Sequence, residues 1–378
     1  MASFDFLVIG GGPAGATAAL LLARRGHSVA VLEKSAFPRR KVCGEYLAPF
    51  AASFLRSQGI PLEAEIRRVA LWAGKHVLQA PLPAPYASTL AREDLDSLLL
   101  QCAARAGAVV FQPLKVLALE RSSSGFACKT EAGILEARAV IAAHGSWEPG
   151  ALPTQARRSA PQASDLLAFK AHFHGVALNA DTIALAPYPG GYGGLLMLAD
   201  GRATFACCIR RDALESVRCP GEAAGESVLR HAMRASAGLR ESLVSAQREG
   251  AWLASGPLRA GIRPPWRDGV FAVGNAAGEV HPVVGQGISL AMSSAVLLCE
   301  VLEAGGSPRE YARQCRKLYA RALWPSALIA GLAPASRLVQ RAPWLLALGA
   351  KLAASREHYP GDLHEGALLA RQEGHPLR

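Results

Sequence analysis

The feature that most constrains the fold is the glycine-rich turn in FDFLVIGGGPAG, residues 4–15. Residues 4–9 are an apolar run rich in strand formers, which predicts a buried strand. Residues 14–25 follow a helical pattern that ends at Gly26, and residues 28–32 predict a second strand. This strand–helix–strand unit predicts an α/β fold with a Rossmann-like nucleotide-binding domain.

The glycines of this turn have the spacing GxGxxG. Gly10 permits a tight turn, Gly12 lets the backbone approach a pyrophosphate, and Gly15 lets the helix pack on the strand. Pro13 and Ala14 open the helix, whose free N–H groups and positive dipole end attract phosphate. Such a turn is a weak signal by itself, but its strand–helix–strand setting makes a dinucleotide site the better interpretation.

Glu33 ends the second predicted strand, 23 positions after Gly10, and Lys34 follows it. An acid at this place accepts a hydrogen bond from a ribose hydroxyl and repels a 2′-phosphate. NADP is therefore disfavoured at this site, whereas NAD and FAD both fit. We expect Glu33 and Lys34 to contact the cofactor.

A second segment, GNAAGEVHPVVGQGIS at 274–289, selects FAD. It follows a short apolar strand at 270–273 and leads into a helix predicted over 289–303. A flavin needs a polar partner for its ribityl chain, and its reduced ring carries an anion that helix-terminal amides stabilise. The predicted cofactor contacts are Gly274, Asn275, Pro282, Gly285, Gln286, Gly287 and Ile288.

With both segments, the chain resembles the glutathione-reductase-type (GR2) FAD-dependent oxidoreductases. Within them it resembles the group of aromatic hydroxylases (single-component flavin monooxygenases), geranylgeranyl reductases and flavin halogenases. The hallmark GDAAGxxxPxxGxG of that group corresponds to 274–287, with Asn275 in place of aspartate. The segment FPRRKVCG at 37–44 is similar to a segment of the reductase branch, and R-x-x-L-D recurs at 92–96.

These resemblances imply roles for individual residues. Arg39 and Lys41 are expected near FAD or an incoming nicotinamide phosphate, Cys43 and Gly44 near the flavin ring, and Arg92 beside FAD. The resemblance also implies that NAD(P)H docks transiently as the reductant.

Several positions depart from the reductase and hydroxylase patterns. Prenyl reductases carry a glycine six positions after the cysteine, where this chain has Pro49, and a tryptophan in the substrate strand, where it has glycine after Tyr192. Hydroxylases carry an Asp-Gly pair where this chain has His144-Gly145, and the halogenase WxWxIP motif is absent. The sequence therefore favours an NAD(P)H-dependent monooxygenase acting on a lipophilic aromatic or polyketide-like molecule with molecular oxygen. A flavin-dependent ene-reductase of the geranylgeranyl-reductase type and a catalytically degenerate flavin-binding protein remain alternatives.

Three residues are candidate catalytic groups. His281 lies between two flavin-site elements and could donate a hydrogen bond to a reacting oxygen. Cys43 could contact the flavin or be a small core residue, and Tyr192 could face the substrate. His172 and His174 alternate along a predicted strand without a third ligand nearby, so a core or solvated face is preferred and no metal site is predicted.

Composition bears on which partners and which cellular location the chain is expected to have. The net charge is +11, but the cations are dispersed and aromatics are only 6% of residues, so no nucleic-acid partner is predicted. The eight cysteines form no CxxC pair and the N-terminus resembles no signal peptide, which predicts a cytoplasmic location. The basic, apolar C-terminal helices predict peripheral contact with the inner membrane face as an alternative to packing on the core.

We expect a discontinuous FAD-binding domain at 1–75, 90–155 and 255–310. A substrate domain at 156–254 is predicted to form an antiparallel sheet from DLLAFKAHF, TIALAPY, GGLLML and RATFACCI. Its face should cover the flavin, and residues 311–378 should be helical.

Overall fold

The computed structural model describes residues 3–62, 64–145, 152, 155 and 160–332. Its helices are α1 (Pro13–Arg24), α2 (Pro49–Ser57), α3 (Arg92–Arg105), α4 (Arg211–Val217), α5 (Ala224–Ala235), α6 (Ala237–Leu243), α7 (Gly287–Glu303) and α8 (Pro308–Leu332). Its strands are β1 (Ser3–Ile9), β2 (Val29–Leu32), β3 (Tyr46–Leu47), β4 (Glu65–Ile66), β5 (Arg68–Ala73), β6 (His76–Pro81), β7 (Ala87–Thr89), β8 (Val109–Phe111), β9 (Val116–Ser122), β10 (Gly125–Thr130), β11 (Gly133–Ala142), β12 (Leu166–His174), β13 (Thr182–Tyr188), β14 (Gly191–Met197), β15 (Ala203–Arg210), β16 (Gln247–Leu258), β17 (Gly261–Ile262), β18 (Trp266–Arg267), β19 (Val270–Ala272) and β20 (Gly278–Glu279).

The first sheet has the order β18-β19-β11-β1-β2-β8, and β9 and β10 extend it beside β11. Strands β19, β11, β1, β2 and β8 are parallel. Strand order reverses at β1, which pairs with β2 on one side and β11 on the other, so the carboxyl end of β1 is a switch point where α/β sheets bind ligands. The predicted Rossmann-like α/β fold is confirmed.

Two helices cover the switch point because both are apolar on nearly all sides. Helix α1 buries its Ala and Leu side chains, and α7 is buried from Ile288 to Cys299. The two helices pack against each other, and α1 also packs on α3. A helix that is apolar all round must lie inside the protein, so both helix N-termini are fixed beside the sheet edge.

The second sheet has the order β16-β12-β15-β14-β13-β5-β6. Its pairings are antiparallel except for β13 with β5, which is parallel. Side chains alternate between its faces: Trp72, Phe173 and Phe205 pack with α4, α5 and α6 on one face, and the other face looks toward the first sheet. The inserted sheet is thus largely antiparallel, as predicted, with one parallel pair.

Strands β5 and β6 are the part of this sheet that lies outside the predicted insertion. The expected boundary at residue 75 falls in the turn between them, and β5 pairs along β13 from Thr182↔Arg68 to Leu185↔Leu71. An apolar run such as RVALWA predicts a strand, but its partner is more than 100 positions away, and spacing alone gives no sign of it.

Helix α8 packs on the core through two buried tyrosines. The Tyr311 hydroxyl donates to the Ala272 carbonyl (2.6 Å) and the Tyr319 hydroxyl to the Gly274 carbonyl (2.8 Å). Burial raises the pKa of both hydroxyls, so they remain donors. Of the C-terminal region predicted to be helical, 311–378, the part at 333–378 lies outside the described residues, so the proposed membrane contact stays a prediction. Within the described chain, no helix is both long and apolar enough to span a membrane.

Candidate active site

A cavity of about 1020 Å³ lies between the two sheets. Ligand pockets typically occupy about 300–1,000 Å³, so this cavity has room for a large ligand or for two ligands together. Nearly all the cofactor-contacting residues predicted from the sequence line it: Gly10, Gly12, Pro13, Ala14, Glu33, Lys34, Arg39, Lys41, Cys43, Gly44, Arg92, Gly274, Asn275, Pro282, Gly285, Gln286, Gly287 and Ile288. Gly15 lies just outside it, in the packing of the turn.

The first glycine turn has no room for side chains at two positions. Gly10 has φ +109°, and a Cβ there would lie 2.5 Å from the Ala143 carbonyl oxygen. A Cβ on Gly15 would lie 1.9 Å from the Gly10 carbonyl oxygen. Gly12 precedes α1, and a Cβ there would meet nothing within 4 Å. The turn therefore opens the helix N-terminus to the cavity, where its amides can bind phosphate.

Glu33 follows β2 at the edge of this turn. Its carboxylate accepts hydrogen bonds from the backbone N–H groups of Gly11 and Ser35, each at 2.9 Å. The Arg39 guanidinium contacts the same carboxylate at 3.2 Å. Glu33 is buried but lines the cavity, so it is fixed in place where a ribose hydroxyl would need an acceptor.

The second segment begins at Gly274, after β19. Gly274 has φ +61°, and Arg263 donates to the Asn275 carbonyl (3.0 Å). The Asn275 amide lies 3.4 Å from Glu279, whose other oxygen pairs with Arg263 (3.2 Å). Gly285, also at positive φ, packs against the Tyr46 ring. The segment therefore presents a polar side chain and the N-terminus of α7 to the cavity.

The loop between β2 and β3 carries Lys41 and Cys43 on the cavity wall. Burial, with the nearby cations of Arg39 and Arg92, lowers the pKa of Lys41 to about 8. The Cys43 sulfur accepts from the Glu45 N–H (3.3 Å). Lys41 is therefore a cation whose charge is lost just above neutral pH, at a point where a cofactor phosphate would stabilise it.

Arg92 is held at the start of α3 by an i,i+4 ion pair. Its guanidinium contacts Asp96 at 2.8 Å and 3.0 Å. Burial opposes the charge of Arg92, but Asp96 and Cys43 outweigh it, so the pKa of Arg92 is raised. Arg92 is therefore a fixed cation beside Cys43.

Tyr192 and His281 form a hydrogen-bonded pair at the cavity. The Tyr192 hydroxyl lies 3.1 Å from His281 Nδ1. The Val283 N–H also points at that nitrogen, which makes Nδ1 an acceptor and the hydroxyl the donor. Burial lowers the pKa of His281 to about 4 and raises that of Tyr192, so both are neutral at pH 7. Tyr192 lines the cavity, whereas His281 lies behind it and acts on the cavity through the Tyr192 hydroxyl.

Sequence reasoning missed a buried ionic cluster next to Cys43. The Glu45 carboxylate accepts hydrogen bonds from Lys170, His172 and Thr204. Lys170 and His172 are 1% exposed and Glu45 is fully buried. The available signal was a lysine in the otherwise apolar run DLLAFKAHF, because a buried lysine requires a paired acid. His172 therefore lies in the core, and His174 is exposed beside Glu249.

Part of the second sheet's surface in the cavity is aliphatic, although Gln79, Tyr192 and Ser255 of that sheet also line the cavity. Val69 and Leu71 of β5, Ile183 and Leu185 of β13, and Leu196 of β14 line it. Gly194 leaves a gap in this wall, since a Cβ there would meet only Leu185 and backbone oxygens at 3.8–4.0 Å. We call these six residues the aliphatic wall; it suits a hydrocarbon more than a polar substrate.

The cavity fits FAD on the observations above. Two helix N-termini open onto it, Glu33 offers a ribose acceptor, and Asn275 offers a polar group beyond the phosphates. A side chain at Gly10 would collide with the Ala143 backbone, and one at Gly274 would collide with Ala14, so glycine at both positions keeps the cavity open beside the two helix N-termini. Within the described residues, no group of three or more His, Cys, Asp or Glu side chains is placed to hold a metal ion.

Comparisons with known proteins agree with this site. The sequence profile of the FAD binding domain family matches residues 3–305. A menaquinone reductase of Mycolicibacterium smegmatis is 29% identical over 336 residues, which span 80% of this chain and 77% of that protein. A tryptophan 2-halogenase of Chondromyces crocatus is 26% identical over 333 residues, spanning 78% of this chain and 60% of that one.

A solved structure shares the fold over its whole length. It is a geranylgeranyl bacteriochlorophyll reductase-like protein of Thermoplasma acidophilum, with a TM-score of 0.75 and 20% identity, covering 97% of this chain and 99% of that one. The resemblance stated from the residue motifs is confirmed by these relatives.

Proposed function

Since the chain belongs to the FAD binding domain family and is an FAD-dependent oxidoreductase, we propose that it reduces a carbon–carbon double bond in a lipophilic, isoprenoid-type substrate. NAD(P)H is the proposed transient reductant. The sequence favoured a monooxygenase with this reductase as the alternative. We now rank the reductase above the monooxygenase because of the aliphatic wall.

The aliphatic wall is the observation that carries the proposal. A hydrocarbon chain offers no hydrogen-bonding group, so a site that binds it gains free energy from apolar burial, at roughly 25 cal/mol per Å². Leu71, Ile183 and Leu185 line the same cavity as Cys43 and Gly44. A phenolic substrate would instead need a hydrogen-bonding partner, which none of these six residues offers. The similarity to a menaquinone reductase also supports a reductase.

Reduction of a double bond adds a hydride and a proton. FAD, when bound and reduced by NAD(P)H, would supply the hydride. The Cys43 thiol is our assignment for the proton, because it lines the cavity while the Tyr192 hydroxyl already donates to His281. The aliphatic wall excludes water, and Arg92, held by Asp96, keeps a positive charge beside the cysteine.

Reoxidation of the reduced flavin in the absence of oxygen tests this proposal. Protein loaded with FAD and reduced by NAD(P)H is mixed anaerobically with a geranylgeranyl lipid, which has no quinone ring to oxidise the flavin. The oxidised flavin absorbance should return with the wild type and return much more slowly with Cys43→Ser. If the lipid does not restore it, the reductase proposal is wrong.

A monooxygenase is the second candidate, favoured by the Tyr192–His281 pair. This pair could hold a phenolic oxygen at the cavity wall. In that case NAD(P)H oxidation would require oxygen and an aromatic substrate, and Tyr192→Phe would lower turnover while FAD still binds. A flavin that is reoxidised by lipid without oxygen rejects this candidate.

A further inference from the structure

Glu45 is a buried acid in a backbone conformation that favours glycine. Its φ is +58°, in the left-handed region, and its side chain is fully buried. A non-glycine residue in this region costs roughly 1–2 kcal/mol, and burial of an unpaired carboxylate costs far more. Contacts of Glu45 must therefore offset both costs.

Four hydrogen bonds to the Glu45 carboxylate come from three separate parts of the chain. The Arg92 backbone N–H donates at 2.8 Å from the start of α3. Lys170 and His172 donate from β12, the latter at 2.8 Å, and Thr204 donates from β15. The carboxylate thus joins the second sheet to the helix that carries Arg92.

The backbone of Glu45 also holds the loop. Its N–H donates to the Cys43 sulfur (3.3 Å), and its carbonyl accepts from the Leu90 N–H (3.3 Å). Since Cys43 and Gly44 line the cavity, the same residue connects the cavity loop to both flanking elements.

A second layer of charges fixes the orientation of His172. Arg202 approaches His172 Nδ1 at 3.3 Å, so that nitrogen accepts and Nε2–H points to Glu45. Arg202 is itself held by Glu93 (2.9 Å) and Asp200 (2.6 Å). Glu93 also pairs with Arg40 of the same loop (3.3 Å). The cluster therefore holds the loop at two points, Glu45 and Arg40.

We propose that Glu45 is a positioning residue, whose carboxylate fixes the Cys43–Gly44 loop between the second sheet and α3 and so sets the distance from Cys43 to the cofactor. Lys170, His172 and Thr204 are the sheet partners that orient it. The catalytic consequence for Cys43 rests on the proposed function, but the placement of the loop does not.

Alkylation of Cys43 in the apoprotein tests the placement. The labelling rate with iodoacetamide is measured peptide by peptide, with the exposed Cys219 as internal reference. Glu45→Gln should raise the Cys43 rate about tenfold or more relative to Cys219, because the loop opens more often. Glu120→Gln, which breaks an exposed ion pair with Lys129, should leave it unchanged.

A second variant serves as the control for loss of folding. Glu45→Gln leaves Lys170 buried without its acid, which destabilises the fold. The double substitution Glu45→Gly with Lys170→Met removes the buried lysine charge, and it also removes the free-energy cost of a non-glycine residue at positive φ. This variant should therefore fold, and Cys43 should still be more accessible than in the wild type. Its FAD-loaded form should show altered visible circular dichroism of the flavin, which a loss of global stability alone does not change.

Unchanged Cys43 labelling and an unchanged flavin spectrum in both variants would overturn the proposal. The labelling needs neither substrate nor electron transfer, so its outcome is independent of whether the chain is a reductase.

Discussion

Residue 275 has an amide where the resembled family has aspartate, and its neighbours explain the exchange. The Asn275 side chain donates toward Glu279, which is 6% exposed and already paired with Arg263. An aspartate here would place two carboxylates four residues apart around one arginine. The Asn275 amide instead offers Glu279 a hydrogen-bond donor.

Asn275→Asp should therefore destabilise the protein at neutral pH, by roughly 1–3 kcal/mol for a lost donor and an unpaired acceptor. Repulsion from Glu279 raises the folded pKa of the new acid, so the loss is full above that raised folded pKa and disappears as the pH falls to the unfolded pKa. Thermal unfolding of the apoprotein at about pH 7 and pH 5 measures this. Asn275→Ala, which adds no charge, should show no such pH dependence, and an Asp variant as stable as wild type at pH 7 would contradict the account.

Lys41 should make FAD binding depend on pH. Its pKa is lowered to about 8 by burial and by the cations of Arg39 and Arg92. Below pH 8 the ammonium attracts a cofactor phosphate, and above it the neutral amine does not, so affinity should fall as the pH rises through about 8. Fluorescence titration of the apoprotein with FAD measures this. Lys41→Met should bind more weakly at pH 7 and show no step, and a flat wild-type profile would exclude the role.

At the scale of elements, β14 carries two adjacent glycines with opposite surroundings. A Cβ on Gly193 would lie 2.6 Å from the Phe205 ring, whereas Gly194 faces the gap in the aliphatic wall. Period-2 alternation places the two on opposite faces of the sheet. The first is required by packing in the core, and the second determines the shape of the cavity.

Gly194→Trp should fill the gap and exclude a long substrate. FAD affinity and flavin reduction by NAD(P)H should be unchanged, since the wall lies on the second sheet, while lipid-dependent reoxidation should fall at least about tenfold. Gly193→Ala is the matched variant, and it should instead lower the melting temperature through overpacking against Phe205. Normal lipid turnover in Gly194→Trp would show that the substrate does not lie along this wall.

The elements that form the nucleotide site could be predicted because their residues are close together in the sequence. The turn at Gly10, helix α1 and Glu33 lie within one short unit, and their spacing follows from what a dinucleotide requires. The Glu45 cluster could not be read in this way, because its partners are 125, 127 and 159 positions away. Periodicity reveals which face of a strand is buried, but not which distant charge it meets. The tyrosines of α8 were missed for the same reason.

At the scale of the whole molecule, the Glu45 cluster joins the second sheet to α3 and should govern acid stability. Burial raises the pKa of Glu45, but His172 and Lys170 outweigh it and lower the pKa to about 2, against an ordinary 4.5. An acid with a lowered folded pKa stabilises the fold fully above its unfolded value, and that contribution is lost as the pH falls from about 4.5 to 2. The loss should be on the order of a few kcal/mol.

Urea unfolding across this pH range checks the prediction. The Glu45→Gly, Lys170→Met double variant lacks the ionised pair and should lose less stability than the wild type on acidification. Parallel curves for the two proteins would mean that the cluster does not govern acid stability.

The central claim is that the reduced flavin reduces a carbon–carbon double bond of a substrate beside the aliphatic wall. The mass of the product tests this claim most directly. FAD-loaded protein, NAD(P)H and a geranylgeranyl lipid are incubated without oxygen, and the lipid is analysed by mass spectrometry. A reductase gives a product that has gained two hydrogens per reduced bond, and it forms less product with Gly194→Trp. An unchanged lipid under these conditions, with an aromatic substrate gaining one oxygen atom once air is admitted, would contradict the reductase and establish the monooxygenase.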